Sequence, residues 1–289
     1  MNSKTGVRLP LSVIIAGTVL VIIVLACLFA PFISQYHMSE QNLSLSLSGP
    51  TKAHLLGTDK MGRDLFTRLL YGGRVTLVSA LAVVGLSAII GIPLGLISGY
   101  YQGWMDTVIG RACDILIAFP SLLLALVFVA ALGRSLSSAI IALGVAFVPM
   151  LVRLVRSLTL VEKNKTYVEA AQSIGFSSIH IIFRHILPNC IPTILVQFAL
   201  DLGYAILSLA GLSFLGLGVQ PPTADWGAML DEGRSFLLKA PRLALAPGAI
   251  IVAVVLEINI LCDGVQQYLD PSEQVLSRFK RLKGVKELG

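Results

Sequence analysis

The stretch VTLVSALAVVGLSAIIGIPLGLISG, residues 75–99, carries no charged side chain. A helix crosses the hydrocarbon of a bilayer in about 20 mostly apolar residues, so this segment is long enough to span. Five stretches of the same character flank it, at about 11–33, 113–133, 137–152, 190–219 and 245–262. The fourth in chain order is short and the fifth long. The expectation is an all-α, polytopic membrane protein with about six transmembrane helices.

Composition points the same way. Of 289 residues 55% are apolar and 13% charged, against roughly 25% charged in a soluble domain, so a water-facing surface could not be covered. This excludes a soluble enzyme or a disordered chain. The net charge of +6 does not indicate nucleic acid, because no basic run is interleaved with aromatic residues; basic loops beside the membrane account for it. Cys27, Cys113, Cys190 and Cys262 form no CxxC pair and fall in or at the ends of apolar stretches. They read as packing residues, with neither a disulfide framework nor a metal site.

The first span follows Lys4 and Arg8, and Val24-Leu25-Ala26-Cys27 has the look of a loose lipoprotein cleavage site. The apolar run is long for a signal peptide and further spans follow it, so it reads as a retained anchor. The inner segments hold the larger share of Lys and Arg, including Arg111, Arg153, Arg156, Lys163, Lys165, Arg184 and the C-terminal tail. Both termini are therefore expected in the cytoplasm. The chain divides into an N-terminal anchor and extracytoplasmic segment (1–74), a transmembrane core (75–265) with a cytoplasmic loop (153–189), and a polar, basic cytoplasmic tail (266–289) with Pro271 as a stop. No loop exceeds about 40 residues, near the limit for independent folding, so any ATPase or ligand-capturing domain belongs to another chain. Pro93, Pro120 and Pro149 should kink their spans.

The loop 153–189 is the most informative. In Thr166-Tyr167-Val168-Glu169-Ala170-Ala171-Gln172-Ser173-Ile174-Gly175, Thr166 and Glu169 have the spacing of a capping box. Gly175 can take the left-handed conformation that closes a helix, and Pro188 limits the next one. A helix of about eight residues is marginal alone, so something must hold it. Ala170 and Ala171 leave a side free of bulk, and Tyr167 and Ile174 offer apolar anchors. Docking on a partner and packing on the protein's own bundle both satisfy these residues.

Glu169-Ala170-Ala171, three residues, Gly175 and then Leu187-Pro188 resembles the EAA loop of binding-protein-dependent ABC importer permeases. His185 departs from the isoleucine usual two residues before Leu-Pro, although His-Ile-Leu-Pro-Asn is similar to the peptide and nickel branch. Leu56-Gly57-Thr58-Asp59 with Gly62-Arg63-Asp64, Ala118-Phe119-Pro120-Ser121, and Leu212-Ser213-Phe214-Leu215-Gly216-Leu217-Gly218 leading to Pro221-Pro222 and Asp225-Trp226-Gly227 also resemble the dipeptide, oligopeptide and nickel permeases. The resemblance runs from about residue 53 to 271. It implies a type I importer permease fold, the smaller "C-type" subunit, in a bacterial inner membrane. It also implies that Thr166, Tyr167, Glu169, Ala170, Ala171, Ile174 and Gly175 couple to an ATPase. The implied partners are a homologous permease, two ATPase subunits that hold ATP and Mg, and an external binding protein. No cofactor is expected on this chain. Peptides and nickel or metal chelates both remain open as solutes, and Ser208, where many peptide members carry an acid, slightly favours a different solute from theirs.

Other chemistry finds little support. Gly57 and Gly62 have phosphate-loop spacing, but Arg63-Asp64 stands where Lys-Ser/Thr must be, so that segment reads as an outward, turn-rich strap. There is no H-E-x-x-H or G-x-S-x-G for an intramembrane enzyme. His180 and His185 should point to different helix faces. A channel or other non-ABC transporter subunit is the alternative on composition, but it leaves the capped helix unexplained. Asp201, Glu257 and Asn259 lie inside spans, where polar groups are costly and face a cavity or a partner, which makes them candidates for the solute pathway. Arg153 and Arg156 read as span-end charges at the headgroup level.

Overall fold

Helices carry most of the residues that the computed structural model describes, 10–269, and no strand forms among them. Lys4, Arg8, Pro271 and the basic tail lie outside the described residues. The first helix, α1 (Leu11–Leu28), is apolar all round and exposes Ile14, Ile15, Val21 and Ile22, as a lipid-solvated span does. A short α2 (Ala30–Ile33) follows, and then an irregular strap leads into α3 (Leu65–Tyr101). At 37 residues, α3 is about 55 Å long, so it begins ten residues before the span expected at 75–99 and ends two after it.

The third expected span, 113–133, is broken. Gly103–Ile117 (α4) and Ser121–Leu132 (α5) meet at 88°. Pro120 lacks an amide hydrogen and disfavours the helical conformation in its predecessor, so the chain turns at Ala118-Phe119-Pro120. Counting this bent pair as one, six segments can cross a membrane.

The fourth span, expected to stop at residue 152, continues as α6 (Leu136–Lys163). Arg153 and Arg156 are therefore inside a helix, with Arg153 about 15 Å from its far end. They are satisfied sideways by α4: Arg153 Nη2 donates to Asp114 Oδ1 at 2.7 Å, and Arg156 grips both Asp106 oxygens at 2.5 and 2.6 Å.

After α6 come α7 (Thr166–Ser173), a single turn α8 (Ser178–Ile181), a π-helical turn at Ile182–Ile186, and α9 (Leu187–Phe214). A short α10 (Trp226–Arg234) precedes α11 (Arg242–Leu269), which runs past the expected end of the sixth span at 262.

The centre of the bundle is the pair α3 and α6. Gly91, Gly95 and Gly99 recur every fourth residue along α3 and face Leu151, Val155 and Thr159 of α6; a Cβ at Gly99 would fall 2.6 Å from the Thr159 Cβ. Small residues at this spacing let backbones approach where no hydrophobic effect drives association. At the strap end, Trp226 is fully buried and its indole N–H donates to the Leu69 carbonyl at 2.9 Å. Asp225 caps α10 through the Gly227 amide at 2.7 Å, and a Cβ on Gly227 would sit 2.5 Å from the Ala210 carbonyl oxygen.

The strap is fastened by charge. The Asp59 carboxylate receives the Met61 and Arg63 amides, Arg63 Nε at 2.6 Å and Arg68 Nη1 at 2.5 Å. Both guanidinium groups also reach Glu232 of α10, at 3.0 and 2.9 Å. Two cations and two anions thus neutralise one another, with Asp59, Arg63 and Arg68 buried and Glu232 partly exposed, a pairing that a buried charge requires. Gly62 takes φ +72°, and a Cβ there would lie 1.8 Å from the Asn42 carbonyl oxygen, so only glycine fits. The strap packs on its own bundle.

Candidate functional site

The loop expected to carry function does form a helix of eight residues, and its two ends behave differently. Lys165 occupies the N-cap with extended backbone and no side-chain cap forms. Thr166 is thus already the first helical residue, one place too late for the capping box with Glu169. What remains for Glu169 is an exposed position in the first turn, favourable toward the positive end of the helix dipole. The far end closes as its glycine requires. Gly175 adopts φ +93°, its amide donates to Gln172 at 2.9 Å, and the Phe176 amide donates to Ala171 at 3.2 Å, a Schellman closure.

The alanine pair is split. Ala171 and Val168 are buried in a cluster with Leu96, Tyr100, Leu151, Val155, Ile181, Ile182 and Ile186, so Ala171 is an inner packing residue and only Ala170 faces outward. α7 is therefore seated on α6 and α8, and joins α3 and α9 through the shared cluster. Its outer surface and the following turn expose Ile174, Phe176, Ile179 and Phe183, with Ile174 at 75%.

Tyr167, expected as an apolar anchor, has its hydroxyl engaged instead. The hydroxyl donates to Glu162 Oε2 at 2.5 Å and accepts from Asn189 Nδ2 at 3.1 Å. Lys165 Nζ holds the other Glu162 oxygen at 2.5 Å, and Asn189 also donates to the His185 carbonyl at 2.6 Å. Partial burial, with the hydrogen bond and charge of Glu162, pushes the phenol up to about 12.

His180 and His185 do not diverge as a regular helix would make them. Their ring centroids are 5.6 Å apart, and Phe176 stacks on His180 at 4.7 Å. The π turn is the cause, because its i→i+5 hydrogen bonds return the chain to one face after five residues.

The three pathway candidates are not brought together. Asp201 is buried on α9 and receives the Gln197 amide at 2.8 Å. Glu257 is half-buried on α11 with Oε2 shielded and without a hydrogen bond among the described residues, while Asn259 is exposed. A polar feature that sequence reasoning missed lies elsewhere. Asp106, Gly110, Arg111 and Asp114 of α4, with Arg153 and Arg156 of α6, line an open groove of about 470 Å³. The signal was present: Asp106, Gly110 and Asp114 recur every four residues and so share one helix face.

Known proteins share this sequence and architecture. A family model described as "Binding-protein-dependent transport system inner membrane component" matches residues 91–275, and one described as "N-terminal TM domain of oligopeptide transport permease C" matches residues 12–50. The chain is 46% identical over 223 residues to the glutathione transport system permease protein GsiD of Pectobacterium atrosepticum, covering 77% of this chain and 74% of that one. It is 46% identical over 249 residues to the dipeptide transport system permease protein DppC of Alkalihalophilus pseudofirmus, covering 86% and 82%. The inward-facing MetNI methionine ABC transporter superposes with a TM-score of 0.59 at 18% identity, over 70% of this chain and 96% of that one, which shows a shared fold.

Proposed function

The chain belongs to the family of binding-protein-dependent transport system inner membrane components, and from that premise we propose what it carries and what drives it. It is a permease subunit of an ABC importer with a type I fold, so the channel alternative falls away. The solute is a small peptide of the dipeptide or glutathione class, the solutes for which its relatives are named. Metal chelates, left open by the sequence, have no such support.

Four further chains complete the transporter: a homologous permease in a heterodimer and two ATPase subunits, which hold ATP and Mg, together with an extracytoplasmic binding protein. The observation that carries this reading is α7, whose inner face is locked into the bundle while Ala170, Ile174 and Phe176 are left outside. Closure of the ATPases on ATP pushes α7, and the helices packed on Val168 and Ala171 follow, closing the inner gate and opening the outer one. The chain sits in the bacterial inner membrane with α7 and both termini in the cytoplasm, as the basic residues of that side favour. Asp201 and Glu257 contribute to the pathway through the paired permeases.

In the co-expressed complex, Ala170→Trp should insert at normal yield and lose the ATPase subunits. Retained subunits with normal uptake would refute docking through α7. Complete transporter in proteoliposomes should take up labelled dipeptide or glutathione; uptake of a nickel chelate and no peptide would reverse the solute assignment. A cysteine at Ser44 should react with an impermeant thiol reagent in intact cells and one at Ser173 should not, and the opposite pattern would invert the topology.

A further inference from the structure

The hydroxyl of Tyr167 touches three helices at once. Glu162 belongs to the last turn of α6, Tyr167 to the first turn of α7, and Asn189 to the first turn of α9. The amide of Asn189 donates to the phenol oxygen, the phenol donates to the Glu162 carboxylate, and the Lys165 ammonium fixes that carboxylate from the other side. The chain of donors has one direction and ends on a charge, an arrangement in which each bond strengthens the next. The Glu162 side chain is 12% exposed, while its partners Lys165 and Tyr167 are open to water. With its phenol pushed up to about 12, Tyr167 keeps its proton at any physiological pH.

The other hydroxyls of this region do nothing comparable. Ser173 Oγ donates to the Glu169 carbonyl within its own helix, and Ser157 Oγ donates to the Leu154 carbonyl within α6. The apolar face of α7 holds it against the bundle through Val168 and Ala171, but apolar contact is non-directional and does not by itself fix an orientation. A directional hydrogen bond does. The π turn between α8 and α9 makes this distinction matter, because such a turn is a place where helical register can shift, and Asn189 stands three residues beyond it.

We propose that Tyr167 is a positioning residue that locks α7 to α6 and α9, so that displacement of α7 is delivered to both transmembrane helices instead of being absorbed in the π turn. This rests on the reading that α7 receives the motion of an ATPase.

The test uses the complete transporter, with its binding protein, in proteoliposomes, and reads solute imported per ATP hydrolysed. Tyr167→Phe keeps the ring and removes only the hydroxyl. It should assemble with its ATPase subunits and retain binding-protein-stimulated hydrolysis, yet import about tenfold less solute per ATP, the equivalent of one hydrogen bond to a charged group. Glu162→Ala should act in the same direction, the double variant should be no worse than the poorer single, and Ser157→Ala, whose hydroxyl bonds only within α6, should match the unmodified protein. Unchanged solute per ATP in Tyr167→Phe would overturn the proposal, as would additive losses in the double variant. Loss of the ATPase subunits from Tyr167→Phe would make the hydroxyl a docking contact and overturn the proposal while leaving docking intact. Failure of docking itself would show separately, as Ala170→Trp retaining its ATPases.

Discussion

Gly95 of α3 lies so close to Val155 of α6 that a Cβ added to it would fall 2.6 Å from the Val155 Cβ and 2.9 Å from the Val152 carbonyl oxygen. The second contact is with backbone and cannot rotate away. Gly95→Leu is therefore expected to destabilise the permease by about 1–3 kcal/mol through overpacking, read as a lower melting temperature in detergent. Val155→Ala in the same chain should recover only part of this, because the carbonyl stays. A full recovery would show that α6 moves aside as a body.

Glu232 joins the strap to α10, and its ionisation makes that joint sensitive to pH. Burial alone would raise its carboxyl, but the Arg68 hydrogen bond and charge, with Arg63, outweigh this and hold it below the usual glutamate range. A depressed carboxylate stabilises fully above its unfolded value, about 4.3, and loses that contribution as pH falls through the lower folded value. Protease should therefore spare the strap at neutral pH and cut it under acid. Glu232→Gln should cut readily at neutral pH, with a loss of about 2–4 kcal/mol from leaving two guanidinium groups on one carboxylate. A strap equally protected in that variant would mean that Asp59 alone suffices.

Trp226 offers a test of one hydrogen bond inside a filled site. Trp226→Phe removes the donor to the Leu69 carbonyl and leaves some space beside Gly73, whose added Cβ would meet the indole at 2.5 Å. A loss of about 1–3 kcal/mol is expected. Gly73→Ala should remain destabilising in the Trp226→Phe background, because the added Cβ would still collide with the Cys27 sulfur, measurable by thermal unfolding of the four combinations.

Glu169→Ala should cost only a few tenths of a kcal/mol in α7, because no cap is lost and an exposed charge near a helix start contributes little. Ala171→Leu should instead disturb the buried cluster and lower the yield of folded permease, unlike Ala170→Trp. Comparable yields for the two alanine variants would show that α7 does not sit with Ala171 inward.

For Asp201, Asn retains the contact with Gln197 and removes only the charge. If the charge serves the solute, Asp201→Asn should change uptake at unchanged complex yield, while Asp201→Leu should lower yield as well by leaving Gln197 without its acceptor. Normal uptake by the Leu variant would remove Asp201 from both roles.

Why the sequence disclosed some of this and not the rest can be read residue by residue. Long apolar runs announce spans, because lipid selects on average polarity, and the expectation of about six agrees with five spanning helices plus the bent pair. The ends of α3 and α6 were not legible for the same reason. Arg68, Arg153 and Arg156 lie within helices because partners far along the chain neutralise them, and a hydropathy profile cannot see a partner. Gly175 was legible because a positive φ is a property of one residue. The capping box failed because it depends on a register that Lys165 took by one place. The histidine pair misled because periodicity assumes a regular helix, which Ile182–Ile186 is not. The Tyr167 hydroxyl was invisible in any pattern, since a tyrosine among apolar residues looks like an anchor until its oxygen is placed.

The fastening of the strap has a mechanical consequence. Arg242, at the start of α11, donates to the carbonyls of Leu47 and Ser48 at 2.9 and 2.7 Å, while Arg63 and Arg68 hold Glu232 of α10. The starts of α3 and α11 are thus cross-braced with α10 at one end of the bundle, and α7 lies at the other. A rod fixed at one end converts a small angle into a large sweep at its free end. For α3, about 55 Å long, a tilt of about 5° about the braced end carries its far end through about 5 Å, roughly one helical turn. Tyr100, which packs in the same cluster as Val168 and Ala171 of α7 and whose carbonyl accepts from Lys163 Nζ of α6 at 2.7 Å, sits at that far end, so α6 is tied to the point where leverage is greatest.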